Sequence, residues 1–413
     1  MCTFKSANIL MPQVENMEKW SVIACDQYTS QPEYWKKVRD YIGEDFSTLN
    51  LILPEAEMEG NGGAIEKINE KMKQYIDSGV FKEYENVYIY VERTLANGKI
   101  RKGIVGAVDL EEYDYSDDAT TKIRATERTV KERIPLRTDI RRNAYIETPH
   151  ILLLCDDEKM LLIDSVEKIK HNCPKLYDFD LMENGGHISG WLVEGRNANM
   201  FDKKLEEYSS FINEKYAHTG KTPMLFAVGD GNHSLAAAKS CYEELKKQNP
   251  GKDMSKHPAR YALVELGNIH DEAQKFKAIH RIVTNIDTDD LISKIKEQIC
   301  AEDGYPISYC IGEKEEKLYL NKELGEVPVA ILQKFLDKYL KEAPEKIDYI
   351  HGEKVVRELA RKKDSVGFVL PVLEKTQFFK GIVKDGVFPR KTFSMGHAQE
   401  KRYYLEARKI SCL

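Results

Sequence analysis

The chain has 413 residues, of which 62 are Lys or Arg and 68 are Asp or Glu, so its formal net charge is −6. This length predicts two or three domains, and a hydrophobic content of 42% is ordinary for a globular protein. The acidic balance disfavours a nucleic-acid partner, because proteins that bind DNA or RNA show a clustered basic excess. No apolar run approaches the roughly 20 residues of a spanning helix, so no membrane partner is expected.

The cysteines and the first residues indicate the compartment. Eight cysteines are scattered along the chain without a Cys-x-x-Cys pair or zinc-finger spacing, which predicts reduced thiols. Residues 1–13 contain one Lys and no adequate apolar stretch, so they do not resemble a secretory signal. We therefore expect a cytoplasmic protein, and a homo-oligomer remains possible.

The first half alternates β-rich runs with amphipathic helices. An Asn97-Gly98 turn separates two β-rich runs, which is the strongest short hairpin signal. Apolar residues three and four apart predict helices, whereas compact apolar runs predict buried strands. The predicted strands are 20–25, 86–93, 102–110, 150–155 and 160–163, and the predicted helices are 31–42 and 64–78.

The second half repeats this alternation. The predicted helices are 200–216, 233–247, 291–300 and 328–340, and the predicted strands are 224–228, 260–266, 366–372 and 381–383. Strands interleaved with helices in both halves predict an α/β (α+β) chain of two associated modules. We place the modules at residues 1–195 and 196–413, although no Pro/Ser-rich linker marks the boundary.

The sharpest local feature is the sequence GDGNHS, which lies between an apolar strand and an alanine-rich helix. Two glycines permit tight turns, and a helix N-terminus favours anions through its N–H groups and its dipole. Asp230 could hold a cation or accept a hydroxyl proton. The competing interpretation is an ordinary strand-to-helix turn with Asp or Asn as the cap. The candidate phosphate-binding residues of this turn are Gly231, Asn232, His233 and Ser234.

A second feature is the basic stretch over residues 124–142, which contains one early acidic residue, Glu127. Such a stretch could clamp phosphates while the glutamate acts as a base. Solvated helix faces with ion pairs give the same pattern and are commoner. The candidates from this stretch are Arg124, Thr126, Glu127, Arg128 and Lys131.

Two weaker features complete the set of candidates. His280 and Arg281 are embedded among apolar residues, which is more typical of a satisfied buried pair than of a ligand site. Residues 386–394 have the composition of a turn followed by a strand that carries donors. His280, Arg390, Lys391 and Thr392 are retained as candidate substrate or phosphate contacts. No Walker loop, Gly-x-Gly-x-x-Gly or Gly-x-Ser-x-Gly is present, which disfavours the common kinases, dehydrogenases and hydrolases.

Taken in order, several short segments resemble an uncharacterised bacterial and archaeal family, domain-of-unknown-function family 1015. Its usual turn is Asp-Gly-His-His-Arg, and here Asn232 and Ser234 replace the first His and the Arg. Thr126 stands where the family usually has a His before the glutamate. The matching segments are CDQY at 25–28, LEEY at 110–113, 124–129, YIETPHILLLCD at 145–156, 228–236, 279–283 and 389–392.

The same turn is similar to that of the free L-serine kinases, which have a ParB/sulfiredoxin-like fold. The resemblance covers about residues 200–410 and implies a C-terminal module with a mixed sheet and flanking helices. It also implies Mg²⁺ as cofactor and a glutamate that deprotonates the serine hydroxyl. Glu127 is our candidate for that base, and Asp230 is our candidate metal ligand.

The resemblance implies a phosphotransferase that makes O-phospho-L-serine from L-serine, with ATP, ADP or pyrophosphate as donor. Phosphoryl transfer depends on positioning and charge neutralisation, which these residues could supply. Since Glu127 and Asp230 come from opposite sides of the predicted boundary, the two halves would have to share one site. The alternatives are a non-catalytic nucleotide or phosphate sensor and a ParB-like partitioning factor. The net charge and the missing helix-turn-helix pattern disfavour the partitioning factor.

Overall fold

The computed structural model describes residues 3–58, 63–129 and 134–411. The chain is a mixed α/β protein, as predicted. The strands are β1 Phe4–Lys5, β2 Ala7–Pro12, β3 Phe81–Thr94, β4 Ile100–Asp109, β5 Tyr113–Asp114, β6 Ile123–Ala125, β7 Ile146–Glu147, β8 Leu152–Cys155, β9 Lys175–Leu181, β10 Gly186–Val193, β11 Phe226–Asp230, β12 Tyr261–Asn268, β13 Phe276–Thr284, β14 Cys300–Ile311, β15 Lys314–Leu320, β16 Ile347–His351, β17 Ser365–Val369, β18 Phe393–Met395 and β19 Arg408–Lys409.

Helices alternate with these strands along most of the chain. They are α1 Met17–Trp20, α2 Pro32–Ile42, α3 Ala64–Asp77, α4 Ile134–Arg142, α5 Ile163–Glu167, α6 Gly195–Tyr216, α7 Asn232–Gln248, α8 Thr288–Ile299, α9 Pro328–Tyr339, α10 Glu353–Leu359 and α11 Lys375–Asp385. Within the described residues, no helix has the length and apolarity needed to cross a membrane.

The chain divides into two compact units. Unit 1 comprises residues 1–125, 129–274 and 397–413, and unit 2 comprises residues 126–128 and 275–396. The division therefore does not fall at the predicted boundary of 195/196. The reason is strand pairing, because β11 and β12 from the second half pair with β8, β6 and β4 from the first half within one sheet.

Unit 1 is built on a large mixed sheet. Among the described residues its order is β5-β6-β11-β8-β12-β4-β3-β10-β9, with β1 paired to β4 and β2 paired to β3. The pairs β5–β6, β6–β11 and β8–β12 are parallel, and the others are antiparallel. The hairpin β3–β4 turns at Asn97-Gly98 as predicted, and β7 pairs with β19 separately.

Unit 2 has its own antiparallel sheet. Its order over the described residues is β15-β14-β17-β13-β16, and β18 adds to β13. Helices α8, α9, α10 and α11 belong to this unit and supply buried apolar side chains such as Ile295, Leu332, Val356 and Phe378. The aromatic rings of Phe276, Phe378 and Phe393 pack on one another, which joins β13, α11 and β18.

Three predicted strands are wrong. Residues 20–25 include the last residue of α1, which the Asn16 side chain caps by accepting from the Lys19 amide. Residues 160–163 form a turn into α5, closed by the Leu162 amide donating to the Asp157 carboxylate at 2.6 Å. Residues 381–383 lie inside α11. In each case a short apolar run fits a buried helix or turn as well as a strand, so composition alone does not decide between them.

Candidate functional site

The GDGNHS segment of unit 1 forms a tight strand-to-helix turn. Strand β11 ends at Asp230, Gly231 has φ +80°, and α7 begins at Asn232. A Cβ atom at Gly231 would lie 3.1 Å from the Cα of Ile151, and an L-residue would be strained at this φ. The Gly231 carbonyl accepts from the Ser234 and Leu235 amides. The turn therefore presents the N-terminus of a 17-residue helix, which favours an anion.

Asp230, the predicted metal ligand, is ion-paired. Its Oδ2 lies 3.1 Å from Nζ of Lys401, and its Oδ1 accepts from the Gly231 amide at 3.1 Å. Mg²⁺ needs near-octahedral oxygen coordination, and an ammonium group paired with the Asp230 carboxylate repels a second cation. The residues at Asp230 therefore do not fit a Mg²⁺ site in this arrangement. The ammonium of Lys401 neutralises the charge of Asp230 at the start of α7.

His150 is the centre of a buried polar cluster in unit 1. Its Nε2 lies 3.4 Å from Oγ of Ser234 and 3.9 Å from Oδ2 of Asp26, and its Nδ1 lies 2.8 Å from the Tyr404 hydroxyl. Burial lowers the pKa of His150, although Asp26 and Asp230 oppose this shift. Burial alone would raise the pKa of Asp26, but His150, Gln27 and Lys401 lower it. The cluster therefore places an imidazole and a carboxylate beside Ser234 of the turn.

Sequence reasoning did not assign this cluster a role. The signal was present, because the segments CDQY and YIETPH carry Asp26 and His150 and both belong to the family resemblance. Asp26 and His150 are 124 positions apart in the chain, and only the fold of unit 1 brings them together.

Replacing His150 by Gln should flatten the dependence of stability on pH. Folding lowers the pKa of His150, so below about pH 6.5 the unfolded chain binds more protons than the folded chain. The free energy of unfolding therefore decreases as the pH is lowered. We expect the difference in free energy of unfolding between pH 7 and pH 5 to be smaller in H150Q than in the wild type. Urea unfolding at both pH values measures it, with the exposed His171→Gln as the control. An equal pH dependence in H150Q and wild type would contradict the assignment.

The Arg124 side chain donates hydrogen bonds to two backbone carbonyls of unit 1. The side chain is buried, with Nε donating to the Thr121 carbonyl at 2.8 Å and Nη2 to the Thr222 carbonyl at 2.6 Å. Burial lowers the pKa of Arg124. These two bonds hold the loop before β11 against β6, so the guanidinium is already engaged by the protein.

In unit 2, Glu127 is held by a turn in the backbone. Its carboxylate accepts from the Lys391 amide at 3.1 Å and from the Thr392 amide at 3.0 Å. Burial raises the pKa of Glu127, while the bonds from the amides of Lys391, Thr392 and Phe393 act against that rise. Successive amides of this kind form an anion-binding nest, and here the anion is the chain's own carboxylate.

The other residues of this turn are arranged around that carboxylate. Lys391 has φ +60° and an exposed side chain, and the buried Thr392 hydroxyl donates to the Pro389 carbonyl at 2.6 Å. Arg390 is exposed and donates from Nε to the Tyr349 hydroxyl at 3.2 Å. The turn that holds Glu127 therefore also carries two exposed cationic side chains.

Arg281 lies in the same unit and is fully buried. Its Nε donates to Oε1 of Gln333 at 2.9 Å, Nη1 donates to the Ile279 carbonyl, and Nη2 has no acceptor among the described residues. Both Arg281 and Arg390 lie over the ring of Tyr349, at 5.0 and 5.3 Å. Burial lowers the pKa of Arg281 to about 10, so it stays charged at neutral pH.

Most of the remaining predicted residues contact neighbouring backbone or lie at the start of α7, and one lies outside the described residues. His280 is buried and its Nδ1 accepts from the Leu370 amide at 3.1 Å, while burial lowers its pKa. Thr126 is buried, and its carbonyl accepts from the Phe388 amide. Arg128 is exposed, and its amide donates to the Phe388 carbonyl. Asn232 and His233 occupy the first turn of α7, and Lys131 lies outside the described residues.

The structure thus groups the predicted residues by unit. Asp230 and residues 231–234 belong to unit 1, whereas Glu127 and residues 390–392 belong to unit 2. The basic stretch is divided between them, because Arg124 is in unit 1 and Arg128 in unit 2.

One cluster in the described part of the chain has metal-ligand spacing. It consists of Asp156, Glu158 and His270. The ammonium of Lys215 lies 2.7 Å from Asp156 and 2.6 Å from Glu158, and His270 Nε2 lies 2.7 Å from Asp156. Lys215 occupies the cation position, so this is an ion-pair cluster.

Several solved structures show a low similarity to the chain. A free serine kinase mutant in complex with ADP matches at 12% identity and a TM-score of 0.38, over 76% of this chain and 93% of its own. A free serine kinase in complex with AMP matches at 13% identity and a TM-score of 0.37, over 74% and 91%. SbnI with C-terminal truncation, from Staphylococcus aureus, matches at 12% identity and a TM-score of 0.36, over 71% and 82%. Values this low do not establish a shared activity.

No curated protein matches the sequence. A family model does match, and it extends over residues 9–409, which is nearly the whole chain. This confirms the resemblance carried by the short segments between residues 25 and 392. The chain belongs to the family described as Protein of unknown function (DUF1015).

Proposed function

We propose that this protein is a phosphotransferase that transfers a phosphoryl group to the hydroxyl of L-serine, with ATP, ADP or pyrophosphate as donor. The observation that carries the proposal is the turn at Gly231. Its left-handed glycine lies between a strand and a 17-residue helix, and Lys401 adds an ammonium group 3.1 Å from Asp230. A helix N-terminus suits the phosphates of a donor, and Lys401 offsets the charge of the Asp230 carboxylate that would otherwise repel them.

The proposal gives Glu127 the role of general base. In the step, the serine oxygen forms a bond to the transferred phosphorus, the bond from phosphorus to the leaving oxygen breaks, and the hydroxyl proton passes to the Glu127 carboxylate. Burial raises the pKa of Glu127, which brings a carboxylate closer to the range in which it takes up a proton effectively. The exposed cations Arg390 and Lys391 lie on the turn that holds Glu127 and would neutralise charge on the substrate.

Turnover with defined donors tests the proposal. Purified protein is incubated with L-serine and each of ATP, ADP and pyrophosphate, with and without Mg²⁺, and O-phospho-L-serine is measured by mass spectrometry. We expect phosphoserine with at least one donor. Threonine and D-serine are the matched acceptors that test the substrate. No product with any donor, under conditions in which a known serine kinase works, would contradict the proposal.

A second candidate is a phosphate or nucleotide sensor without turnover. Two observations favour it: Asp230 is already paired with Lys401, and the Glu127 carboxylate is already bonded by backbone amides. Calorimetry with each donor separates the two functions. Binding that depends on Lys401 but gives no phosphoserine supports the sensor, whereas binding followed by product supports the kinase.

A further inference from the structure

We propose that a cavity inside unit 1 is a binding site for a small monocarboxylate with a short alkyl chain, and that Arg141 binds the carboxylate. All residues that line this cavity belong to unit 1. The cavity adjoins the turn at Gly231 through Ser234 and His150, but its proposed ligand is held at Arg141, and its test measures binding alone.

The cavity has the size and walls for a short alkyl chain. Its volume is about 130 Å³, and its apolar walls include Leu51, Leu53, Met72, Ile140, Ile151 and Ala237. An apolar cavity of roughly 150 Å³ holds a benzene molecule, which has six heavy atoms. A four-carbon acid also has six heavy atoms, so it fits the same space. These walls would stabilise the alkyl chain by removing it from water.

One N–H group of Arg141 has no acceptor among the described residues, and this group is our candidate for binding the ligand. Arg141 lies near the end of α4 and lines the cavity, and its Nη1 lies 2.5 Å from Oε2 of Glu147. Its Nε is buried and has no acceptor among the described residues. A buried N–H without an acceptor costs free energy, and a ligand oxygen would satisfy it.

The charges around Arg141 favour an anion. Glu147 on β7 is shared by Arg141 and by Arg408 on β19, whose Nε lies 2.7 Å from Oε1 of Glu147. Burial would raise the pKa of Glu147, but Arg141 and Arg408 lower it, so this carboxylate is ionised at neutral pH. Two guanidinium groups against one carboxylate leave one positive charge, which a ligand carboxylate would neutralise.

Several other polar groups of the cavity have partners. His150, Ser234 and Tyr404 line it, but they contact one another at 3.4 and 2.8 Å. Arg137 also lines the cavity and is ion-paired with Glu55. The unsatisfied donor is therefore on Arg141, and the ligand class follows from its guanidinium, which binds carboxylates through fixed N–H donors.

The experiment compares three probes with the same four-carbon chain on the full protein: butanoate, butanamide and butan-1-ol. Ligand-detected NMR titration measures each affinity. We expect butanoate to bind at least about tenfold more tightly than either neutral probe, because a charge-assisted bond is stronger than a neutral one. Equal affinities for the three probes, or no binding of butanoate at millimolar concentrations, would overturn the proposal.

Two variants locate the site. Arg141→Gln should weaken butanoate binding about tenfold or more, whereas Arg142→Gln should leave it within twofold. Arg142 is the matched control, since it is the next residue of α4 and its exposed side chain pairs with Asp139 and Glu244. If Arg141→Gln fails to fold, Ala237→Leu fills the cavity and should abolish binding. Unchanged butanoate binding in folded Ala237→Leu would also overturn the proposal.

Discussion

Arg402→Met is expected to lower the free energy of unfolding by about 3–5 kcal/mol, the loss typical of removing one partner from a buried ion pair. Arg402 is buried in unit 1, with Nε 2.8 Å from Glu265 and Nη2 2.6 Å from Glu406. Both carboxylates are themselves buried. The variant would leave them without this guanidinium in a region that water does not reach.

The groups around Arg402 explain why no neighbouring side chain replaces its interactions in the variant. Burial would lower the pKa of Arg402, but Glu406 and Glu265 raise it, so the guanidinium is charged. Its Nη1 also donates to the Pro149 carbonyl at 2.5 Å. Without Arg402, Arg101 at 3.6 Å and the charge of Arg93 still act on Glu265, and the Tyr177 hydroxyl still donates to Glu406 at 2.8 Å. These more distant arginines cannot replace the two short bonds of Arg402.

Urea unfolding monitored by circular dichroism measures this loss. Arg361→Met is the matched control, because Arg361 is exposed and pairs with an exposed Glu313, and exposed pairs contribute about 0–1 kcal/mol. Arg402→Lys should lie between the wild type and Arg402→Met, since it keeps the charge but loses the second bond. A loss below about 1 kcal/mol for Arg402→Met would show that the network does not stabilise unit 1.

Glu127→Gln is expected to lower kcat by about 10²–10⁴-fold if Glu127 is the base of the proposed reaction, which is the usual contribution of general base catalysis. The amide cannot take up the serine proton, but it keeps the size of the side chain and one acceptor for the amides of Lys391 and Thr392. KM for serine should change much less than kcat. Because burial raises the pKa of Glu127, the wild-type rate should rise with pH through a midpoint above that of an ordinary glutamate.

Glu358→Gln is the control for Glu127→Gln, since Glu358 is an exposed residue of α10 in the same unit. Circular dichroism and unfolding curves of both variants separate a lost base from a lost fold. If folded Glu127→Gln retains its kcat within a few fold, Glu127 is a structural anchor of the turn over residues 389–393. A pH midpoint that persists in the variant would exclude Glu127 as its origin.

The helices and strands that were predicted correctly are those with a strong signal in the local sequence. The β3–β4 hairpin follows from Asn97-Gly98, and α6, α7 and α9 follow from long runs with apolar residues three and four apart. The predicted strands over 160–163 and 381–383 failed because short apolar runs lack this periodic information. Residues 160–163 form a turn because the Leu162 amide donates to the Asp157 carboxylate. Residues 381–383 lie in α11, which buries Phe378 and Phe379.

For the candidate sites, the sequence by itself determined the turn at Gly231 and the family, because the turn rests on adjacent residues and the family on short segments in a fixed order along the chain. Only the tertiary structure placed Lys401 on Asp230, His150 beside Asp26 and Ser234, and Arg141 at the apolar cavity. It also decided that Arg124 bonds to carbonyls and that the Glu127 carboxylate fills a nest of backbone amides. The physical reason is that the partner of a charge is set by folded distance and burial, and neither is written in local sequence spacing.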